Sequence, residues 1–247
     1  MKYLKAFFAV IMLCLLFGCG ADDGITLESV ACDAWQTRTE NNYFVSADFQ
    51  NENICLSDAA ADRELASIAA SYGIGSLYLG MTDENNGCLL YCSSPACGLM
   101  MKQLYVTKDR WQTYDVTDIS SQIDGYPTSL SMQSDKHLYI GAQMRSDGYL
   151  FETTDGGTSW SPVIIDDEIE KCQYGYAPIL DDKNDIYYLL LECYGFYSLY
   201  QSDAMLSDWE LLGTLSLDGE SNLLKSYFIL EDAVIIEDTQ GQTFRIR

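Results

Sequence analysis

The sequence predicts an all-β chain, a small β-propeller of five four-stranded antiparallel blades whose ring is closed by an N-terminal strand. Three observations predict it. A frame of residues recurs at a blade-like interval, with aspartates at 58, 109, 155 and 203 standing 51, 46 and 48 residues apart. Apolar and polar residues alternate at the period of a strand, rich in Tyr, Val and Ile, and no long helical stripe competes. Turn-forming residues bound short runs, and five such units over about 220 residues suit a five-bladed propeller.

The chain opens with a segment of different character. Lys2 and Lys5 make a basic start, Ala6 to Gly18 an apolar run of 13 residues, and Asp22 and Asp23 follow at once. That is the layout of a secretory signal, and the run is shorter than the stretch of about 20 residues that spans a bilayer. Leu16-Phe17-Gly18-Cys19 resembles the lipobox of bacterial lipoproteins, although Phe17 departs from the small or β-branched residue common there. The resemblance implies a signal peptide over 1–18, acylation of Cys19, a short tether over 19–24 and a membrane anchor. Gly20 in place of Asp resembles the outer-membrane sorting pattern, so an exported chain at the cell envelope is expected. The remainder, 25–247, is the propeller.

The repeat explains itself residue by residue. Leu104 to Tyr114, Leu150 to Trp160, and Leu199 to Asp203 running on to Trp209 share a frame, with a degenerate copy at Cys55 to Asp58. The middle copy, Thr153-x-Asp155-x-Gly157-x-Ser159-Trp160, resembles the Asp-box or BNR repeat. The first copy has Trp111 where glycine is usual and Tyr114 where tryptophan is usual; the third carries Asp203 and Trp209 around an extra turn residue. A strand ends at the Ser or Thr, the carboxylate of Asp109 or Asp155 accepts turn amides, Gly157 permits a positive φ, and Trp160 is buried as the next strand opens. The resemblance implies an outer turn between a blade's third and fourth strands, a mark of fold and not of activity.

Second strands are read at Tyr43 to Phe49, Leu77 to Met81, His137 to Met144, Ile186 to Cys193 and Ala233 to Ile236. Third strands follow at Ile54 to Ser57, Leu104 to Thr107, Tyr149 to Thr153, Ser198 to Gln201 and Thr243 to Arg247. The last blade then lacks a fourth strand, and Ile25 to Ala31, unclaimed at the other end, supplies it and removes the open edges. The long interval from Asp83 to Lys102 reads as an insertion held by Cys88, Cys92 and Cys97 at the face where propellers bind ligands.

Removal of 1–18 and acylation of Cys19 leave seven cysteines, Cys32, Cys55, Cys88, Cys92, Cys97, Cys172 and Cys193. Export favours disulfides, and the odd number leaves at least one thiol unpaired within the chain. The spacing of Cys88, Cys92 and Cys97 is not a paired C-x-x-C, so no metal site is read. Cys172 and Cys193 flank a hairpin around Asp181-Asp182-Lys183-Asn184; if Leu180 faces Asp185, Ile179 faces Ile186 and Cys172 falls opposite Cys193. A bridge there closes a loop of about 20 residues.

Charge and side-chain chemistry bound the function. The full chain carries 14 basic and 37 acidic residues, and loss of Lys2 and Lys5 leaves a formal charge of −25, which opposes nucleic acid and anionic surfaces. Tyr174, Tyr176, Tyr194 and Tyr197, with Phe196, form a candidate ligand-binding cluster for a glycan or a protein. No catalytic residue and no cofactor is assigned. Asp-boxes occur in sialidases, which use an arginine triad, but only six arginines are present, Arg38, Arg63, Arg110, Arg145, Arg245 and Arg247. Phe244-Arg245-Ile246-Arg247 resembles the sialidase F/Y-R-I-P motif but lies at the wrong end and lacks the proline. His137 is the single histidine, and no Ser/His/Asp or histidine-rich metal arrangement is built around it. A non-catalytic binding or assembly module, anchored by lipid and meeting an envelope protein or glycan, is the first reading; a sialidase-like, glycan-acting hydrolase is the alternative.

Overall fold

A computed structural model of the chain describes residues 28–29, 43–48, 53–58, 63–70, 72–96, 99–143, 149–163, 165, 172–181, 183–203, 206, 208–216, 224–230, 233–238 and 242–246. The signal segment, Cys19, Cys32, Cys97 and the tether lie outside them. The described residues form strands and turns only, in five antiparallel sheets. The chain divides into two compact units, Trp35–Ser216 and a second made of Met1–Ala34 with Leu217–Arg247.

The larger unit holds four sheets that follow one another as blades of a β-propeller. The first has three described strands, β2 (Tyr43–Asp48), β3 (Asn53–Asp58) and β4 (Arg63–Ala69). The next comprises β5 (Ser76–Met81), β6 (Gly87–Cys92), β7 (Lys102–Thr107) and β8 (Asp115–Asp118). Then come β9 (Pro127–Met132), β10 (Leu138–Ala142), β11 (Leu150–Thr153) and β12 (Ser161–Pro162). The fourth is β13 (Tyr174–Asp181), β14 (Ile186–Cys193), β15 (Phe196–Asp203) and β16 (Glu210–Ser216). The first strands stack on one another, β5 against β9 and β9 against β13, which puts them innermost. Second strands reach the next blade's first strand, β6 to β9 and β10 to β13; β2 reaches β5 in the same way and so stands second in its blade, as expected.

The other unit contains β17 (Leu224–Leu230), β18 (Ala233–Asp238) and β19 (Thr243–Ile246), with β1 (Glu28–Ser29) paired beside β19. Glu28 stands opposite Arg245 and Ser29 opposite Phe244, so the N-terminal segment supplies the fourth strand of the last sheet as the sequence predicts.

One expected element is corrected. Leu77 to Met81 belongs to the first strand of its blade, and the stretch from Asp83 to Lys102 is no insertion but a tight turn, the second strand β6 and a loop. Every residue of β6 is buried. Leu89 and Tyr91 enter the core toward β3 and Trp111, while Cys88, Leu90 and Cys92 enter the core shared with Leu138 and Phe151. A strand covered on both faces is a continuous apolar run, Cys-Leu-Leu-Tyr-Cys, with no alternation to betray it. Cys88 and Cys92 are accordingly free thiols in the core and hold no loop together. Burial pushes the Cys92 thiol up to about 11 and the Cys88 thiol higher still.

Candidate functional site

Antiparallel order fixes two ends for the larger unit's strands. Loops joining second to third strands, and those leading into first strands, gather at one end, called upper here; the remaining turns gather at the lower end. Backbone bonds stitch each end: Gly75 N–H to Cys92 O at 2.9 Å and Gln173 N–H to Glu192 O at 2.8 Å above, Arg110 N–H to Asn85 O at 3.0 Å and Gly156 N–H to Lys136 O at 2.9 Å below.

The lower end is built on two turns, 107–114 and 153–160, bonded alike. Thr153 Oγ1 donates to Asp155 Oδ1 at 2.8 Å and accepts from Gly157 N–H at 3.0 Å; Ser159 gives its N–H to Oδ1 at 2.9 Å and its hydroxyl to Oδ2 at 2.6 Å. Thr107, Asp109, Trp111 and Thr113 repeat these four bonds at 3.0, 3.0, 2.9 and 2.6 Å. The Ser159 hydroxyl, followed by the Ser159 N–H and the Thr153 hydroxyl, holds the Asp155 carboxyl down at about 2; Thr113 lowers that of Asp109. Both turns take positive φ at the two positions after the aspartate, Gly156 and Gly157 in one, Arg110 and Trp111 in the other. Trp111 therefore occupies a glycine's backbone position, and its ring, 2% exposed, fills the core that Trp160, 9% exposed, fills in the next blade. Asp203 is different: it ends β15 at the position of Thr107 and Thr153, and Trp209 lies half-buried against the core containing Tyr139 and Leu189.

Ion pairs join blades here. Arg110 donates from Nη2 to the buried Asp58 at 2.7 Å and lies 3.7 Å from Glu84, while Lys108 bonds Asp135 at 2.7 Å. An arginine so engaged in a lower turn is not placed to clamp a substrate carboxylate. His137 Nε2 stands 2.5 Å from Glu152 Oε1, which also accepts the Tyr139 hydroxyl at 2.9 Å, a cluster made by cross-strand register and invisible in sequence spacing. No group of three or more His, Cys, Asp and Glu side chains converges among the described residues.

The upper end carries the candidate ligand residues. A disulfide joins Cys172 to Cys193, with Cα atoms 4.2 Å apart. The register beneath it differs from the expected one. Asp181, not Leu180, closes the hairpin against Ile186, Ile179 faces Tyr188, and an irregularity between Tyr176 and Ile179 shifts the ladder back, so Tyr174 faces Glu192. The irregularity takes back half of the displacement made at the turn and leaves the cysteines one step out of direct opposition, still within bridging distance.

Beyond the bridge, β14 turns into β15 through Tyr194 and Gly195 alone, with φ of 55° and 82°. Positive φ at both central positions is the type I′ hairpin, whose twist matches the strands and whose first position favours Asn or Gly. Tyr194 is instead a large aromatic held there, 63% exposed, with Phe196 beside it at 51%. The buried Glu192 accepts the Gly195 N–H at 3.0 Å, and burial raises its carboxyl above the ordinary range. The other tyrosines divide. Tyr174 is half-buried and accepts Gln143 Nε2 at 3.3 Å, whereas Tyr176 and Tyr197, 6% and 2% exposed, are packing residues. The residues that sequence reasoning missed are Tyr72 and Leu99, 67% and 77% exposed at the same end of the second blade.

No family model matches the chain and no curated protein matches it. Solved structures do. An oligogalacturonate lyase in complex with manganese is similar with a TM-score of 0.51 and 12% identity over 82% of this chain and 61% of that one. BBS1N in complex with ARL6DN, soaked with lead, is similar at 0.50 and 12% over 90% and 65%. YCF48 bound to D1 peptide is similar at 0.46 and 12% over 88% and 67%. The chain thus spans 61 to 67% of the length of these three. At such identity the likeness is one of architecture, and the chain is a β-propeller protein.

Proposed function

We propose that this chain is a cell-envelope lipoprotein whose propeller acts as a non-catalytic binding or assembly module, taking a protein or glycan at its upper end. The observation that carries the reading is the tip of the fourth blade. Exposed Tyr194 on a two-residue turn, with exposed Phe196 beside it, is held by the Cys172–Cys193 bridge below and the Glu192 bond within. Exposed aromatics on a rigid turn offer contact area at little cost in entropy, as binding surfaces require. The lower end suits support: its two matching turns resemble Asp-box turns, and Arg110 and Lys108 are paired with carboxylates of neighbouring blades. The lipobox-like Leu16 to Cys19 supplies the anchor, and two or more acyl chains make such an anchor lasting.

Array binding of glycans and peptides to the purified chain tests the module, with Tyr194→Ser and Phe196→Ser beside the parent. Retained folding with loss of binding supports the site; unchanged binding in both variants refutes it. Turnover of a fluorogenic glycoside by the parent would replace the module with the hydrolase. Metabolic labelling with a fatty-acid analogue tests the anchor, and an unlabelled wild-type chain would remove it.

A further inference from the structure

Two acids of the β13–β14 hairpin are buried, and their settings differ. Asp181 at the lower turn, 5% exposed, has both oxygens engaged: Oδ1 accepts Lys183 N–H at 3.0 Å and Oδ2 accepts Asn184 Nδ2–H at 2.7 Å. Glu192 at the upper tip, 4% exposed, has only one engaged. Its Oε1 accepts Gly195 N–H at 3.0 Å, and its buried Oε2 meets no donor. Tyr174 of β13 and Tyr197 of β15 stand directly opposite Glu192 and so share its face of the sheet. Tyr176 is close as well: its phenol is pushed up by burial first, then by Tyr197 and Glu192. Among the described residues of the larger unit these three phenols are the titratable groups facing the carboxyl, and no basic side chain pairs with it.

That setting suits a neutral carboxyl. Ionisation leaves a charged oxygen out of water without a donor, at a cost that the single Gly195 bond does not return. Burial accordingly raises the carboxyl above its ordinary value, and the Gly195 bond offsets this only in part. The same bond matters to the turn. Tyr194 and Gly195, at φ of 55° and 82°, form a hairpin whose first central position favours Asn or Gly, and Glu192 is bonded to its backbone. The strand beneath is pinned: Gln173 N–H donates to Glu192 O at 2.8 Å, and the Cys172–Cys193 bridge comes next in the chain. Loss of the Gly195 bond therefore frees the turn and leaves the strands in place.

We propose that Glu192 is a proton-operated latch on the tip that carries Tyr194 and Phe196. While neutral, the side chain holds the turn closed from its buried seat. Once ionised, it turns out into water and releases the Gly195 amide. The closed tip holds the proton more tightly than the open one, so linkage fixes the direction. Opening is constant below the carboxyl's ordinary 4.5, grows about tenfold per pH unit from there to the raised value, and is constant again above it. The bearing on recognition rests on the module reading above: the exposed aromatics are presented rigidly in acid and loosely once the proton is lost.

Hydrogen exchange of the full chain in detergent, read at the Gly195 amide from about pH 4 to about pH 8, tests the latch. Beside it runs Glu192→Gln, which keeps the accepting oxygen and cannot ionise. The ratio of the parent's rate to the variant's cancels the chemical dependence of exchange on pH. It should stay near one in acid and climb about tenfold or more as pH rises, while the same ratio for amides of β10 stays constant. A flat or falling ratio at Gly195 overturns the proposal. A rise shared by β10 overturns it too, because the opening is then global. Glu192→Ala, with neither the oxygen nor the charge, should exchange fast at Gly195 at every pH; slow exchange there shows that the bond does not hold the turn. No exchange result needs a ligand. A silent glycan and peptide array thus removes the module reading and leaves the latch, whereas array binding with a flat ratio does the reverse.

Discussion

Trp160 and Tyr114 occupy the same place in two turns that match bond for bond, yet their removal should have unequal effects. Trp160 is 9% exposed, packs in the core with Leu104, Leu138 and Phe151, and donates Nε1–H to Gly157 O at 3.2 Å. A buried aromatic hides about 200 Å², worth roughly 5 kcal/mol at 25 cal/mol/Å². Measured aromatic truncations in cores fall at about 3–5 kcal/mol. Trp160→Ala should therefore cost about 3–5 kcal/mol, or roughly 6–20 °C in melting temperature for a unit of this size. Tyr114 is 39% exposed and only leans on Tyr105 and Trp111, at ring separations of 5.5 and 6.5 Å. Tyr114→Ala should cost about 1 kcal/mol, the value of such ring contacts. The burial missing there is supplied by Trp111, three residues earlier, and Trp111→Ala should again cost about 3–5 kcal/mol. Urea denaturation of the three variants, followed by circular dichroism, measures the series. Equal losses for Trp160→Ala and Tyr114→Ala, or a Trp111→Ala loss below that of Tyr114→Ala, would refute the assignment of cores to these turns.

Gly157→Ala should destabilise by about 1–3 kcal/mol, because its φ of 89° strains any side chain and a Cβ would run into Leu104 Cδ2. Gly156→Ala, where the nearest atom is Asp135 O at 3.2 Å, should be milder, and the reverse order in thermal melts would contradict the packing. The Asp155 carboxyl is held at about 2 against an ordinary 3.8, so its contribution is complete above the ordinary value and fades as pH falls toward 2. The stability gap between the parent and Asp155→Asn should shrink from pH 5 to pH 2; a gap that widens with acid sinks the assignment. Non-reducing peptide mapping should recover Cys172 joined to Cys193, and Cys172→Ala should cost roughly 2–4 kcal/mol. Recovery of alkylated Cys172 from the unreduced chain would exclude the bridge.

Much of the fold was legible because most strands have one face in a core and one outside it, or a turn that announces them. The pair Ile186–Cys193 and Tyr174–Asp181 brackets a polar turn, and the Thr153 to Trp160 copy carries its own bonding pattern in its residue types. β6 escaped because both its faces are buried, and a gapless apolar run has no period. Its loss made a blade's first strand pass for its second and turned two core thiols into an imagined loop staple. The cysteine pairing was reached through a register wrong at the turn and wrong again at the irregularity, so the agreement is one of proximity and not of ladder geometry. The tyrosine cluster divides between surface and core for a simple reason. Composition cannot tell which face of a strand a residue takes, and Tyr176 and Tyr197 point into packing while Tyr194 owes its exposure to the turn. Tyr72 and Leu99 left no signal beyond the lack of charge around them.

The pairing of Glu28 and Ser29 with Arg245 and Phe244 ties strands from opposite ends of the chain into one sheet. Sequence separation on that scale makes the contact among the last to form, since loop closure must be met before any reward. A nascent chain emerging N-terminus first holds β1 without a partner until β19 has been made, and β19 then finds its edge already waiting. During that interval the exposed edge of the last sheet is a site for chaperone holding or for pairing with a neighbouring chain. Loss of a few residues at either strand would leave the same edge permanently uncovered, so short truncations there should promote aggregation far more than substitutions in the exposed turns.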